Sequence, residues 1–457
     1  MRSTFERLLL ACVAFHAAAT ACGGGEPSDD HGNGGGAGDG EIGGSSVGGS
    51  AGDGGKGGTA GTGGTEGGEG GETAGTGQGG SATGGEAGRG EAGDGSGATG
   101  GTSGRGFVWD LPAGFPTPVV PPDNRMTNEK VELGRHLFYD TRLSGNETQA
   151  CASCHRQELA FTDGAATATG STGEAHPRNS MTLTNVAYAS TLAWGNPLLF
   201  SLEAQAMVPM FGTEPVELGL NGMEDELLDR LRAVPKYQEL FEAAYDDDDP
   251  FTLVNVVRAI GSFGRTLISG NAPFDRYQAG DQDAISESAK RGFAMTLTEK
   301  FECFHCHNGF NMQDAVNFVG KGFVESLFHN TALYNIDGMG AYPAPNTGIM
   351  EVTQDPADMG RFRAPTLRNV TVTAPYMHDG SIQTLDEVLD HYAAGGRTIP
   401  TGQPNAGVGS ANPHKSIFMV GFELSAQERA DLLAFLESLT DEDFLTNPKF
   451  SNPWPEQ

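Results

Sequence analysis

From residue 107 onward, apolar residues recur at intervals of three and four, the period of a helix with one side turned inward, and strand-like alternation is scarce. In TNEKVELGRHLFYDTRLSGNETQ, Thr127 is placed as an N-cap, with Val131, Leu137 and Phe138 as inward positions. The segments MEDELLDRLRAV, YQELFEAAY and FTLVNVVRAIGSFGRTLIS repeat the pattern, the last starting at the cap candidate Thr252. A Gly- and Pro-rich passage follows. Then comes TLDEVLDHYAAGG, in which Thr384 and Glu387 form a capping box and Gly395-Gly396 a stop. Leu385, Val388, Leu389 and Tyr392 share one side of that helix, and helical phase turns His391 away from them. LSAQERADLLAFLESL closes the pattern, with Ser425 and Glu428 as a second capping box. The pattern predicts a mainly α fold with long loops. A tyrosine on an apolar side needs a partner for its hydroxyl, and on residue type alone that partner is a core hydrogen bond.

Composition changes the picture for the first quarter of the chain. Residues 1–22 carry Arg2 and Arg7, an apolar run from Leu8 to Ala19, and the ending Ala21-Cys22, which reads as an export signal. The tetrapeptide ATAC resembles a lipoprotein cleavage site, with Ala19 where Leu is usual; it predicts a lipid anchor at Cys22, with plain secretion into the periplasm as the alternative. Residues 23–106 hold roughly 40 of the 69 glycines and almost no large apolar side chain, the composition of a disordered tether. The net charge of −31 excludes nucleic acid as a natural partner, since nothing here would neutralise phosphates. The run Asp246 to Asp249 reads as a solvated loop, with calcium binding a minor alternative.

Of six cysteines, Cys12 and Cys22 belong to the signal region. The other four form CASCH at 151–155 and CFHCH at 303–307. In each, two thiols three residues apart can add to the vinyl groups of a haem, and His155 or His307 is placed to bind its iron. A four-thiol zinc site needs its halves about 15–20 residues apart, and redox CxxC pairs need no following histidine. Two covalent c-type haems are the reading that uses every residue of both motifs.

The segments ELGRHLFYDTRLSGNETQACASCH, FTDG, PRNSMTLTNVAY, GRTLISGNAPFDRY and RFRAPTLRNVTVTAPYMHDG stand in the order seen in bacterial di-haem cytochrome c peroxidases and MauG-like enzymes. The chain resembles that family over residues 107–445. HPRNSMTLTNVAYASTLAWGNPL and SLEAQAMVPMFGTEPVELG look closest to its MbnH-like members, whose relatives act beside MbnP-type periplasmic copper-binding proteins. The resemblance implies two cytochrome c-type domains, 107–282 peroxidatic and 283–457 six-coordinate, packed around an interdomain interface. The first haem, on Cys151, Cys154 and His155, would have an open distal side. The second, on Cys303, Cys306 and His307, would take its sixth ligand nineteen residues past Thr373, a Met in the cytochrome c peroxidases. Here that position is Tyr392, as in MauG-like members. The resemblance further implies that Trp194 lies between the haems, that Glu217 and Gln205 belong to the peroxide pocket, and that Asn179 with the backbone of Thr373 and Pro375 holds a calcium ion. One departure is clear: Ser171 stands where the peroxidases carry a distal histidine, and His176 instead precedes Pro177-Arg178-Asn179, where it lines the distal pocket or belongs to a loop.

Cleaving peroxide needs a base for one oxygen's proton and an acid for the other, roles Glu217 can fill if its pKa is raised. A thioether ligand on the second iron favours its reduced form and suits electron entry; a phenolate is anionic and favours high oxidation states. The expected function is peroxide-driven formation of a high-valent di-haem state that oxidises an aromatic residue, a Trp, of an MbnP-like partner, with kynurenine as the expected product. A cytochrome c peroxidase drawing on a small cytochrome is the alternative. A non-enzymatic di-haem electron carrier is the second, and it would need His176 as a further iron ligand.

Overall fold

The computed structural model describes residues 107–455. The export signal, the Cys22 anchor and the glycine-rich tether expected upstream lie outside the described residues. Helices carry the architecture: α1 (Asn128–Phe138), α2 (Cys151–Cys154), α3 (Leu202–Phe211), α4 (Glu224–Arg232), α5 (Pro235–Ala244), α6 (Leu253–Arg265), α7 (Pro273–Gln278), α8 (Glu287–Thr296), α9 (Met350–Thr353), α10 (Leu385–Ala393), α11 (Ala426–Glu437) and α12 (Glu442–Thr446). The one sheet among the described residues pairs β1 (Thr398–Ile399) antiparallel with β2 (Gly407–Val408).

The helices start where short polar side chains satisfy their first N–H groups. Thr127 accepts from the Lys130 N–H at 3.1 Å and Thr252 from that of Asn255 at 3.2 Å. Both capping boxes form, Thr384 with Glu387 and Ser425 with Glu428. The four aspartates before Pro250 are exposed, as expected of a solvated loop, and Asp249 pairs with Arg232 at 2.9 Å.

Two helix pairs support the two haem motifs, α1 on α6 and α8 on α11. Each crosses at a glycine. A Cβ on Gly134 would stand 1.9 Å from the Ala259 carbonyl oxygen of α6, and one on Gly292 would stand 2.0 Å from the Asp431 carbonyl oxygen of α11. Only the missing side chain lets the backbones approach so closely. Around the first pair gather Leu133, Leu137, Met210, Phe241 and Val256; around the second, Phe274, Ala289, Phe435 and Leu436. The chain then returns: Phe444, Leu445 and Phe450 bury themselves against Phe138, Phe161 and Phe263 beside the first motif. Each such aromatic side chain contributes about 1.5–3 kcal/mol of hydrophobic stabilisation. The segment expected to close the second domain thus completes the core of the first.

Arg265 of α6 and Glu203 of α3 form a buried bidentate pair, at 2.7 and 2.9 Å, to which Asn124 adds a bond of 2.6 Å. That pair fixes α3, which carries Gln205, against the helix behind the first haem motif.

Candidate functional site

In both CxxCH motifs a carbonyl just downstream aims the histidine. The Nδ1–H of His155 donates to the Phe161 carbonyl at 2.8 Å, and that of His307 points to the Met312 carbonyl at 3.3 Å. A carbonyl can only accept, so Nδ1 carries the proton and Nε2 keeps its lone pair for iron. Phe161 and Met312 both adopt left-handed backbone, with φ of 62° and 47°. Such a conformation is costly in a bulky residue and persists where the surroundings impose it. Sequence reasoning missed both turns, because φ is not written in residue type.

The four thiols are free. Burial pushes Cys151 and Cys306 up to about 12, and Cys154 and Cys303 up to about 11. The motifs lie in different cores, Cys151 packing beside Phe138 and Cys303 beside Leu389 and Leu432, so the four thiols do not gather at one zinc site. The donor set suits thioether attachment to two haems and one proximal imidazole each.

Beside the first motif lies a cavity of about 290 Å³, into which Cys151, Cys154 and His155 face together with His176, Trp194, Gln205 and Glu217. The three distal candidates, His176, Gln205 and Glu217, line it together with Trp194, expected between the haems. Burial raises the Glu217 carboxyl to about 7. Burial lowers His176; its Nδ1 lies 3.1 Å from both the N–H and the carbonyl of Arg178, and its Nε2 lies 3.8 Å from Glu217 Oε1. The Oε1 of Gln205 is buried without a hydrogen-bond partner, an acceptor left free at the cavity wall. Trp194 donates from Nε1 to the Asn179 carbonyl at 2.8 Å and packs against Tyr334, Tyr342 and Phe362 of the chain's second half. It therefore touches both the first cavity and the second half's core.

At the second motif, α10 places Tyr392 within electrostatic reach of the thiols. Burial pushes the Tyr392 hydroxyl well up, and Cys306, then Cys303, raise it further. No hydrogen bond joins that hydroxyl to any described residue, so the ordinary core bond suggested by residue type is not made. The helix differs from expectation in one respect: His391 is only 4 % exposed. Folding buries the side of α10 that helical phase turned away from the apolar stripe, and burial, then the Arg397 charge, lowers His391 to about 4. A helical wheel cannot register loops from distant sequence, and here they bury a second side of α10.

Asn179 is tied to the 373–378 turn, its N–H donating to the His378 carbonyl at 2.9 Å and its Nδ2 to the Ala165 carbonyl at 2.8 Å. Its side-chain oxygen makes no hydrogen bond, which suits a hard-cation ligand. Thr373 and Pro375 lie in that turn, with the Ala374–Pro375 peptide cis. A residue that sequence reasoning passed over is Arg363, which lines the first cavity and donates its backbone N–H to the Trp194 carbonyl at 2.9 Å.

Fold and site together define a mainly helical di-haem oxidoreductase of the c type. Residues 128–283 match the family model described as di-haem cytochrome c peroxidase. The chain is 37% identical over 324 residues to the methylamine utilization protein MauG of Methylorubrum extorquens, covering 70% of this chain and 81% of that protein. It is 30% identical to the cytochrome c peroxidase Ccp of Escherichia coli, over 68% of this chain and 58% of that one. Among solved structures, a MauG-like protein associated with microbial copper homeostasis superposes with a TM-score of 0.75 at 47% identity, over 76% of this chain and all of that one. The chain belongs to the di-haem cytochrome c peroxidase and MauG family, whose members are oxidoreductases with two c-type haems.

Proposed function

We propose that this chain is a periplasmic MauG-type enzyme that uses hydrogen peroxide to oxidise a Trp side chain, yielding kynurenine, on an MbnP-like copper-binding partner. The observation that carries the reading is Tyr392, half-buried within electrostatic reach of Cys306 and Cys303, with its hydroxyl bonded to none of the described residues. Similarity to a MauG-like protein associated with copper homeostasis supports the choice of partner. In this reading 107–282 and 283–457 are the two haem domains, Asn179, Thr373 and Pro375 hold calcium between them, and Cys22 anchors the enzyme to a membrane. Among the described residues no helix is long and apolar enough to cross one.

Bound haem supplies the iron at which peroxide gives up its oxidising equivalents. Glu217, with a carboxyl near 7, takes a proton from one peroxide oxygen and returns it to the departing one. His176 lines the same cavity and presents its Nε2 toward that carboxyl. Trp194 spans the two halves as the path between the haems. With haem bound, Tyr392 would be the residue to hold the second iron through an anionic oxygen, a ligand that would disfavour its reduction and favour oxidation of a protein side chain.

Low-temperature EPR of the ferric holoprotein tests this: one high-spin and one low-spin signal are expected, the latter shifted in Tyr392→Phe. Two low-spin signals would instead mark a closed electron carrier. Peroxide reduction with electrons from a small cytochrome is a second reading, supported by the similarity to cytochrome c peroxidases. It expects fast peroxide-driven oxidation of a reduced small cytochrome that Tyr392→Phe leaves unchanged. Mass spectrometry of the partner after peroxide treatment reads the proposed product directly.

A further inference from the structure

Arg363 is only 7 % exposed, yet its guanidinium has no carboxylate within ion-pair distance among the described residues. Its Nε is buried without a hydrogen bond, and its one side-chain contact is Nη2 to the Met181 sulfur at 3.4 Å, a weak acceptor. Asp314, the carboxylate whose field reaches it, bonds His329 Nε2 through Oδ2 at 2.6 Å, and its buried Oδ1 makes no hydrogen bond to the guanidinium. Elsewhere this chain pairs its buried arginines: Arg265 with Glu203 and Arg368 with Asp275, each through two bonds. A guanidinium left alone in such a place is costly unless an anion comes to it. Burial already holds Arg363 down at about 10, well below an ordinary arginine.

The position is as informative as the missing partner. Arg363 lines the first haem cavity, and its backbone holds the carbonyl of Trp194. Phe362 next to it belongs to the core cluster against which Trp194 packs. The fork of donors therefore stands at the junction of the two haem sites.

We infer that Arg363 is the buried cation that receives a haem propionate at this junction, its planar fork matching a carboxylate through paired N–H donors. The inference rests on haem filling the cavity, as in the family. Arg363 is then a positioning residue. It fixes the propionate edge relative to Trp194, and its charge makes the ferrous state of that haem easier to reach.

The test uses full-length holoenzyme carrying Arg363→Gln or Arg363→Lys. Haem content by pyridine haemochrome is measured first; fewer than two haems in the wild-type protein would strike at the di-haem reading rather than at Arg363. Spectroelectrochemical titration then follows each haem. Removing the cation in the Gln variant is expected to lower the reduction potential of the haem that supplies the propionate, and Lys is expected to restore most of it. The haem whose potential moves more identifies the source. Unchanged potentials in the Gln variant, or equal losses in Gln and Lys, would overturn the assignment. If the Gln variant does not fold, a crystal structure of the wild-type holoenzyme decides: a propionate oxygen at hydrogen-bond distance from the guanidinium supports it, and a propionate directed elsewhere refutes it.

Discussion

Glu217 shows how a single residue couples burial to chemistry. Folding raises its carboxyl from an ordinary value near 4.5 to about 7, so the folded state holds a proton that the unfolded chain would release. Stability should therefore fall as pH rises through that window and level off above about 7. Thermal melts of Glu217→Gln should lack this slope. The same change should slow the reaction with peroxide by about 10²–10⁴-fold in stopped flow, the usual worth of a positioned proton-transfer group. It should also abolish an inflection near pH 7 in the wild-type profile; an unaltered profile would remove Glu217 from the proton path. Glu217 reads as an ordinary surface carboxylate by residue type, and only its motif singled it out. Its burial comes from segments 176–178, 192–194 and 205–209, which share its cavity and which no local window contains.

At the scale of elements, the two glycine crossings set how closely each helix pair can pack. Gly134→Ala or Gly292→Ala should cost about 1–3 kcal/mol through forced separation of the helices, read as a lowered midpoint in denaturant with an unchanged slope. Thr384→Ala should cost about 1 kcal/mol by leaving the start of α10 uncapped. Because α10 carries Tyr392 in its last turn, the same variant should broaden the low-spin EPR signal. A narrow, unshifted signal would show that tertiary packing alone holds the ligand. Helix starts were legible in the sequence, since a cap depends on residues within three positions of it. The reach of burial around α10 was not. Its apolar stripe accounts for Leu389 and Tyr392, while His391, off that stripe, is buried all the same by tertiary packing.

Across the whole molecule, the return of α12 to the first core links the end of the chain to the first haem motif. Phe444→Ala should cost about 3–5 kcal/mol. Its effect should appear around Cys151 rather than Cys303, as faster hydrogen exchange in α1 and α6 with α8 and α11 spared. Uniform loss of protection in both helix pairs would show that the two halves unfold as one.

By itself the sequence determined the chemistry available to this protein: two haem-attachment motifs, mainly helical periodicity, the capped helix that bears Tyr392, and an acidic balance that excludes nucleic acid. These are properties of neighbouring residues, written at spacings of three or four. Tertiary structure alone decided which side chains are dry. It raised Glu217 toward neutrality, enclosed His391, set Tyr392 within electrostatic reach of Cys303 and Cys306, and left Arg363 buried beside Trp194 without a counter-charge. Desolvation depends on everything that surrounds a group, and here most of what surrounds each one comes from far along the chain.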